Sequence, residues 1–251
     1  EIWRIERMER VNVEATAALA AAAEAAGIRS FVFASSIAVY GSPMRAEVDE
    51  ESTRLTSTHD VKSEYRGTDS IRAYGRSKVK AEDAIAAACR NTHFAVVRPT
   101  VVADVDDIAN AVNMNPLVKS IGAKRLTHFV YIADVAAAMI WLMERGLSQP
   151  ADMPGRVETF NLSDEAGYDT SYRGLYSRLE ALSGRGGLGA KLASPLWVYD
   201  LFDRLKSKSL SRGLPLGRCV FPATRLHDAG YSHPFGMAMA ERLAADRIRE
   251  R

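Results

Sequence analysis

Tyr74 and Lys78 stand four residues apart in Tyr74-Gly75-Arg76-Ser77-Lys78, a spacing that on a helix projects both side chains from one face. A phenol with a pKa of roughly 10 is a poor base at neutral pH, and bringing it to roughly 7 takes about 4 kcal/mol. One ammonium at about 4 Å, with an effective dielectric near 20, supplies an interaction of that order. The pair can therefore serve as a general acid/base that moves a proton on or off an alcohol. The same spacing also arises by chance on solvated helices, so companions are needed. Ser35 and Ser36 close the apolar run Ser30-Phe31-Val32-Phe33-Ala34, and the carboxyl end of a parallel strand is where α/β sheets hold ligands. A hydroxyl there can hold a substrate oxygen, or simply turn the chain. Asn12 lies in the first predicted helix at a register that could reach the sheet edge. A buried Asn satisfying the helix is the plainer reading of it.

Other chemistries find little support. Gly184-Arg185-Gly186-Gly187-Leu188-Gly189 matches G-x-G-x-x-G by letter, but that fingerprint works only between a strand and the helix whose N-terminus receives the pyrophosphate. This run follows a predicted helix and reads as a flexible loop. His59, His93, His128, His227 and His233 show no ligand spacing among themselves or with Cys89 and Cys219, so no metal site is expected. There is no G-x-S-x-G elbow of an α/β-hydrolase. The Arg and Lys scatter over 204–225 reads as a solvated face, with anionic-substrate contacts as the minority reading.

The elements that must position these residues follow from the pattern. Helix formers from about Met8 to Ala26, stopped by Gly27, predict a long Ala-rich helix. Residues 30–36 predict a buried strand, 41–68 a long surface loop, 69–90 a second helix, and Phe94–Val97 a strand ended by Pro99. Helix, strand, helix, strand is the rhythm of a parallel sheet. Beyond it come a predicted helix near 106–121, a short strand at 129–131, a helix at 134–145 and a strand at 157–162. Helical periods near 170–182, 195–206 and 235–249 complete the chain.

With 251 residues, 47% of them hydrophobic, a sizeable core is affordable and dominant disorder is excluded. Thirty-three Lys plus Arg against 31 Asp plus Glu leave a formal charge of +2, so no bulk field points to nucleic acid or to a membrane as the main partner. No apolar stretch reaches the roughly 18 residues of a membrane span. Two lone cysteines fit a reducing, cytoplasmic setting.

Taken in order, several segments together resemble the NAD-dependent epimerase/dehydratase family, the extended short-chain dehydrogenase/reductases. They are Val11-Asn12-Val13-Glu14-Ala15-Thr16, Phe31 through Gly41, Tyr74 through Lys78, Arg98-Pro99-Thr100, Phe129 through Ala136 and Thr159-Phe160-Asn161-Leu162. The resemblance implies an α/β fold: a Rossmann-like doubly wound parallel sheet over about 1–165, carrying the dinucleotide site and the catalytic motif, and a smaller, mostly helical C-terminal substrate lobe over about 166–251. It implies an enzyme using NAD or NADP on a secondary alcohol or ketone. Tyr74 would be the proton donor and acceptor, Lys78 would lower its pKa and bind the nicotinamide ribose, and Ser36 would orient the substrate. Pro99 would lie beside the nicotinamide, and Asn12 near the active-site end of its helix. A small-molecule substrate and a homodimer are the implied partners, the dimer formed by the two Ala-rich helices and their copies.

Three departures qualify it. The chain starts at Glu1 without the family's strand, G-x-x-G-x-x-G turn and following βα unit, so part of a longer protein is expected upstream. Val101-Val102-Ala103-Asp104 replaces the usual Tyr-Gly-Pro continuation. The Arg-Asp pair of many sugar-nucleotide members is Thr127-His128 here. A sugar-nucleotide epimerase or dehydratase is thus the runner-up to a reductase or dehydrogenase of a less polar carbonyl compound, and a non-catalytic binding relative is the rival from another class.

Overall fold

The computed structural model describes residues 5–56, 65–150, 152–164, 167–208 and 211–251. The middle of the predicted 41–68 loop, 57–64 with His59, lies outside the described residues.

The chain enters through α1 (Ile5–Met8), a π-helical turn (Glu9–Glu14) and α2 (Ala15–Ala25), which together replace the single helix expected over 8–26. β1 (Ser30–Ala34), α3 (Asp69–Ala88) and β2 (His93–Pro99) follow. β2 is the middle strand of a parallel sheet in the order β1, β2, β5, with β5 at Arg156–Leu162. Every residue of β2 is buried, as expected of a parallel strand covered on both faces. On one face Ala20 of α2 and Ile85 of α3 pack on Phe94. On the other, Val135, Ala138 and Leu142 of α6 (Ile132–Leu147) pack on Ala95, Val97 and Phe160. Helices on both faces of a parallel sheet make the expected doubly wound arrangement.

The segment between β2 and α6 departs from expectation. Instead of one helix over 106–121 there are β3 (Val101–Ala103), α4 (Val105–Asn110), a 3-10 turn and α5 (Pro116–Gly122). The Asn115 side chain accepts from Leu117 N at 2.9 Å, and Pro116 takes the first helical turn, where its missing N–H costs nothing. β3 pairs in parallel with β4 (Phe129–Tyr131) as a second, two-stranded sheet. That sheet and α4 share a core with α7 (Tyr172–Ser183) and α10 (Gly236–Arg249), through Ala103, Ile108, Leu175, Leu179 and Ala244. The expected surface loop is also partly interior: Val48, Leu55 and Tyr65 are buried with Phe221 and Cys219, and Glu47 bridges to Val220. α8 (Leu196–Ser207) and the short α9 (Thr224–Asp228) complete the lobe.

At the amino end of the sheet, Glu158 of β5 meets His93 Nε2 at 2.6 Å, Arg145 Nη1 at 2.5 Å and Arg156 Nη2 at 3.3 Å. The His93 hydrogen bond, followed by those cations, holds the Glu158 carboxyl down to about 2 against the cost of its partial burial. A carboxyl lowered on folding contributes stability that is present above its ordinary pKa and lost as pH falls through the folded value. The wild type should therefore lose thermal stability between about pH 4.5 and about pH 2. Glu158→Gln should be less stable at neutral pH and flatter across that acid window, as measured by melting temperature against pH.

Candidate active site

The chain leaving β1 carries the first functional group. Ser35 N donates to Val97 O at 2.7 Å, extending the β1–β2 register so that Ser36 arrives level with Pro99 at the carboxyl end of the sheet. Ser36 caps a 3-10 turn (Ile37–Tyr40), its Oγ accepting from Ala38 N at 3.2 Å. Gly41 closes that turn at φ +63°, a conformation glycine adopts without strain.

α3 supplies the other two groups. It starts at Thr68, whose side chain accepts from Ile71 N. A Cβ built on Gly75 would lie 2.6 Å from Ala38 O and 3.1 Å from a Leu55 methyl. Only glycine lets the helix close on the 3-10 turn, and this approach joins the Tyr74 phenol to Ser36 by a side-chain hydrogen bond. Lys78 donates to Ala34 O at 2.8 Å, and its ammonium lies 5.8 Å from the centre of the Tyr74 ring. The structure thus brings Ser36, Tyr74, Lys78 and Pro99 to one end of β1 and β2. Gly75→Ala should cost about 1–3 kcal/mol through overpacking and lower kcat by parting Tyr74 from Ser36. A melt and a steady-state assay read the two effects.

The electrostatics differ from expectation. Burial pushes the Tyr74 phenol above its ordinary value, and the hydrogen bond with Ser36 opposes this only in part. Lys78 sits beside the ring and is committed to a carbonyl, so the lowering expected from it is not found. Burial pulls the Lys78 ammonium down, with Glu82 opposing.

Asn12 lies on the π-helical turn, where such irregularities often mark functional positions. Its Nδ2 donates to Ser77 Oγ at 2.9 Å, and that hydroxyl donates to Tyr74 O at 2.8 Å. Asn12 therefore braces the α3 backbone at the tyrosine through Ser77.

Behind the site lies a buried network that sequence reasoning missed. Glu82 accepts from Ser35 Oγ at 2.5 Å, from Arg98 Nη2 at 2.7 Å and Nε at 3.0 Å, and from Arg54 Nη1 at 2.7 Å. Arg98 also donates to Tyr40 OH at 2.8 Å, which donates to Asn161 Oδ1 at 2.7 Å. Burial raises the Tyr40 phenol to about 12, so it stays a donor. The only sequence signal was that Glu82 follows Lys78 by four residues, one turn along the same face.

The residues fit the nicotinamide half of a dinucleotide. Of the three protons on the Lys78 ammonium, Ala34 O takes one. The Gly184–Gly189 run does not supply the other half: Leu188 N and Gly189 N donate to Glu180 Oε1 at 2.7 and 3.2 Å, so those amides hold a carboxylate of the same lobe. Among the described residues no cluster of His, Cys, Asp or Glu could hold a metal ion, and no helix is long and apolar enough to cross a membrane.

Comparison with known proteins agrees with this geometry. The NAD-binding family model described as male sterility protein matches residues 3–141, more than half of the chain. No curated protein matches. Among solved structures, a protein from Burkholderia cenocepacia J2315 provisionally named an epimerase superposes with a TM-score of 0.65 at 18% identity, over 98% of this chain and 73% of its own. UDP-glucose 4-epimerase from Thermotoga maritima, solved with UDP-glucose, gives 0.63 at 14% identity, over 98% and 72%. The enzyme of the same name from Brucella ovis, in complex with NAD, gives 0.61 at 19% identity, over 96% and 71%. At these identities the likeness shows the fold.

Proposed function

The chain belongs to the NAD-binding family described as male sterility protein, and from that premise we propose that it is an NAD(P)-dependent oxidoreductase of the extended short-chain dehydrogenase/reductase type, acting on a secondary alcohol or ketone. The observation that carries this reading is the meeting of Ser36, Tyr74 and Lys78 at the carboxyl end of β1, where Lys78 donates to Ala34 O at 2.8 Å and lies 5.8 Å from the centre of the Tyr74 ring. Nicotinamide bound there supplies the hydride acceptor or donor. Ser36 orients the substrate oxygen, Tyr74 passes a proton to or from it, and Lys78 holds a ribose hydroxyl with the protons Ala34 leaves over. Pro99 walls the site at the end of β2. Asn12 holds the tyrosine's turn of helix.

A phenol raised above its ordinary value is protonated through the neutral range, so Tyr74 is ready to donate. Carbonyl reduction should be level between about pH 6 and 9, while alcohol oxidation, which needs the phenolate, climbs with pH. Stopped-flow rates in both directions with the full-length protein check this.

A sugar-nucleotide epimerase is the second reading, favoured by the UDP-glucose 4-epimerases among the structural neighbours. Against it, the two positions of the Arg-Asp pair are committed elsewhere. Thr127 Oγ1 donates to Thr170 O at 3.1 Å, and His128 Nε2 lies 2.8 Å from Leu216 O. Fluorescence titration with NADH and NADPH, followed by assays on UDP-sugars and on apolar ketones, separates the readings. Epimer formation from a UDP-sugar without net cofactor oxidation would transfer the conclusion to the second, and absence of binding by either cofactor would end both. The exposed side of the π-helical turn and α2, with Val11 and Leu19, is the face on which, together with α3, we expect a homodimer, tested by sedimentation.

A further inference from the structure

α8 is turned inside out relative to an ordinary surface helix. Its two acids, Tyr199 and Ser207 face inward: Asp200 pairs with Arg218 at 2.5 Å, Asp203 with Arg66 at 3.9 Å, and Tyr199 and Ser207 are buried. Its large apolar residues face out, with Trp197, Leu201 and Leu205 at 65%, 50% and 68% exposure. Their spacing of four residues places them in one stripe along the helix. α5 packs beside the start of α8, where Ser194 N donates to Ser120 O at 3.0 Å, and it exposes Leu117 and Val118 as well. The cations Arg204, Lys206 and Lys208 at the end of α8 are also exposed. Because both acids of the helix are paired from within, the outward residues of α8 itself combine a Trp/Leu stripe with cations and no acid.

We propose that α8 is a membrane-docking element that lies in the surface of an anionic bilayer, Trp197, Leu201 and Leu205 entering the headgroup boundary and Arg204, Lys206 and Lys208 meeting acidic lipid. An apolar stripe flanked by Lys and Arg, with a Trp at one end, is the pattern of interfacial helices. A second copy of the chain fits less well, since a two-fold contact sets the same patch against itself and brings these cations together. The whole-chain charge of only +2 conceals this surface, because the compensating acids lie elsewhere or face inward. The helix lies on the membrane and does not cross it, in keeping with the absence of a spanning helix among the described residues.

Co-sedimentation of the full-length protein with phosphatidylcholine vesicles, with and without phosphatidylserine, tests the proposal. Binding should require phosphatidylserine, weaken in high salt, and fall about tenfold in Lys206→Glu/Lys208→Glu. It should fall similarly in Trp197→Ser/Leu201→Ser/Leu205→Ser. Should the triple variant fold poorly, Trp197 gives a second readout: a blue shift of emission on adding vesicles, absent in Trp197→Phe. No binding to phosphatidylserine vesicles, or binding indifferent to these variants, overturns the proposal. So does a dimer of the parent protein that the triple variant dissolves, which would assign the face to a second copy.

Discussion

Tyr74→Phe in the full-length protein should lower kcat by about 10²- to 10⁴-fold, the range general acid/base catalysis supplies, while NADH affinity stays within twofold of wild type. The substitution removes one hydroxyl and keeps the ring, so the packing of α3 against the 3-10 turn, which depends on Gly75 and Leu55, is untouched. Ser36 loses one partner but keeps Ala38 N, and Lys78 keeps Ala34 O. What disappears is the phenolic proton beside the serine. Lys78→Ala is expected to behave differently, weakening cofactor binding and turnover together, because its ammonium is assigned to the ribose. Retention of more than a tenth of wild-type kcat by Tyr74→Phe would remove the tyrosine from the chemistry. A fall in NADH affinity as large as the fall in kcat would make its role structural.

The features that could be read from the sequence are those with a local period. The parallel strands 30–34, 93–99 and 156–162 and the three long helices of the lobe, though not the short Thr224–Asp228, were predicted to within a few residues, because buried strands are continuous apolar runs and helices repeat every 3.6 residues. The Tyr74–Lys78 spacing and the serines ending β1 were equally local. What failed was long-range. Val48 and Leu55 entered the core from a segment whose polar neighbours read as surface, since the partners that bury them, such as Phe221, come from the far end of the chain. β3 escaped notice because three residues make too short a run to stand out, and its partner β4 is reached only after two helices. The break at Pro116 was a missed local signal, an Asn-Pro pair inside an assumed helix. The tyrosine–lysine geometry was placed correctly but its electrostatics were not: spacing sets which face two side chains share, whereas Ala34 O, which takes the ammonium, comes from another element.

The largest expected effect on stability belongs to the residue the sequence hid best. Glu82→Ala should cost about 3–5 kcal/mol, the usual penalty for removing one partner of a buried ion pair, or about 10 °C in melting temperature for a chain of this size. Glu82 and Arg98 are both almost fully buried and joined by two hydrogen bonds. Without the carboxylate, Arg98 keeps Tyr40 OH but carries an unpaired charge, and the buried Ser35 hydroxyl loses its acceptor. Burial works to raise the Glu82 carboxyl, yet the hydrogen bond and charge of Arg98, with Ser35 and Arg54, hold it below its ordinary value. Its stabilisation is thus present above the usual glutamate pKa and lost on acidification, so the wild-type and Glu82→Ala melting curves should converge as pH falls below about 4.5. The network also reaches the site, since Ser35 precedes Ser36 and the Glu82 charge favours the protonated form of Lys78. Glu82→Gln, which keeps the shape but not the charge, should therefore raise the KM for cofactor most at high pH, where a buried lysine without its counter-charge deprotonates first. A melting temperature within 2 °C of wild type in Glu82→Ala would mean that Arg98 finds other partners. A cofactor KM in Glu82→Gln with the wild-type pH profile would confine the network to holding the fold.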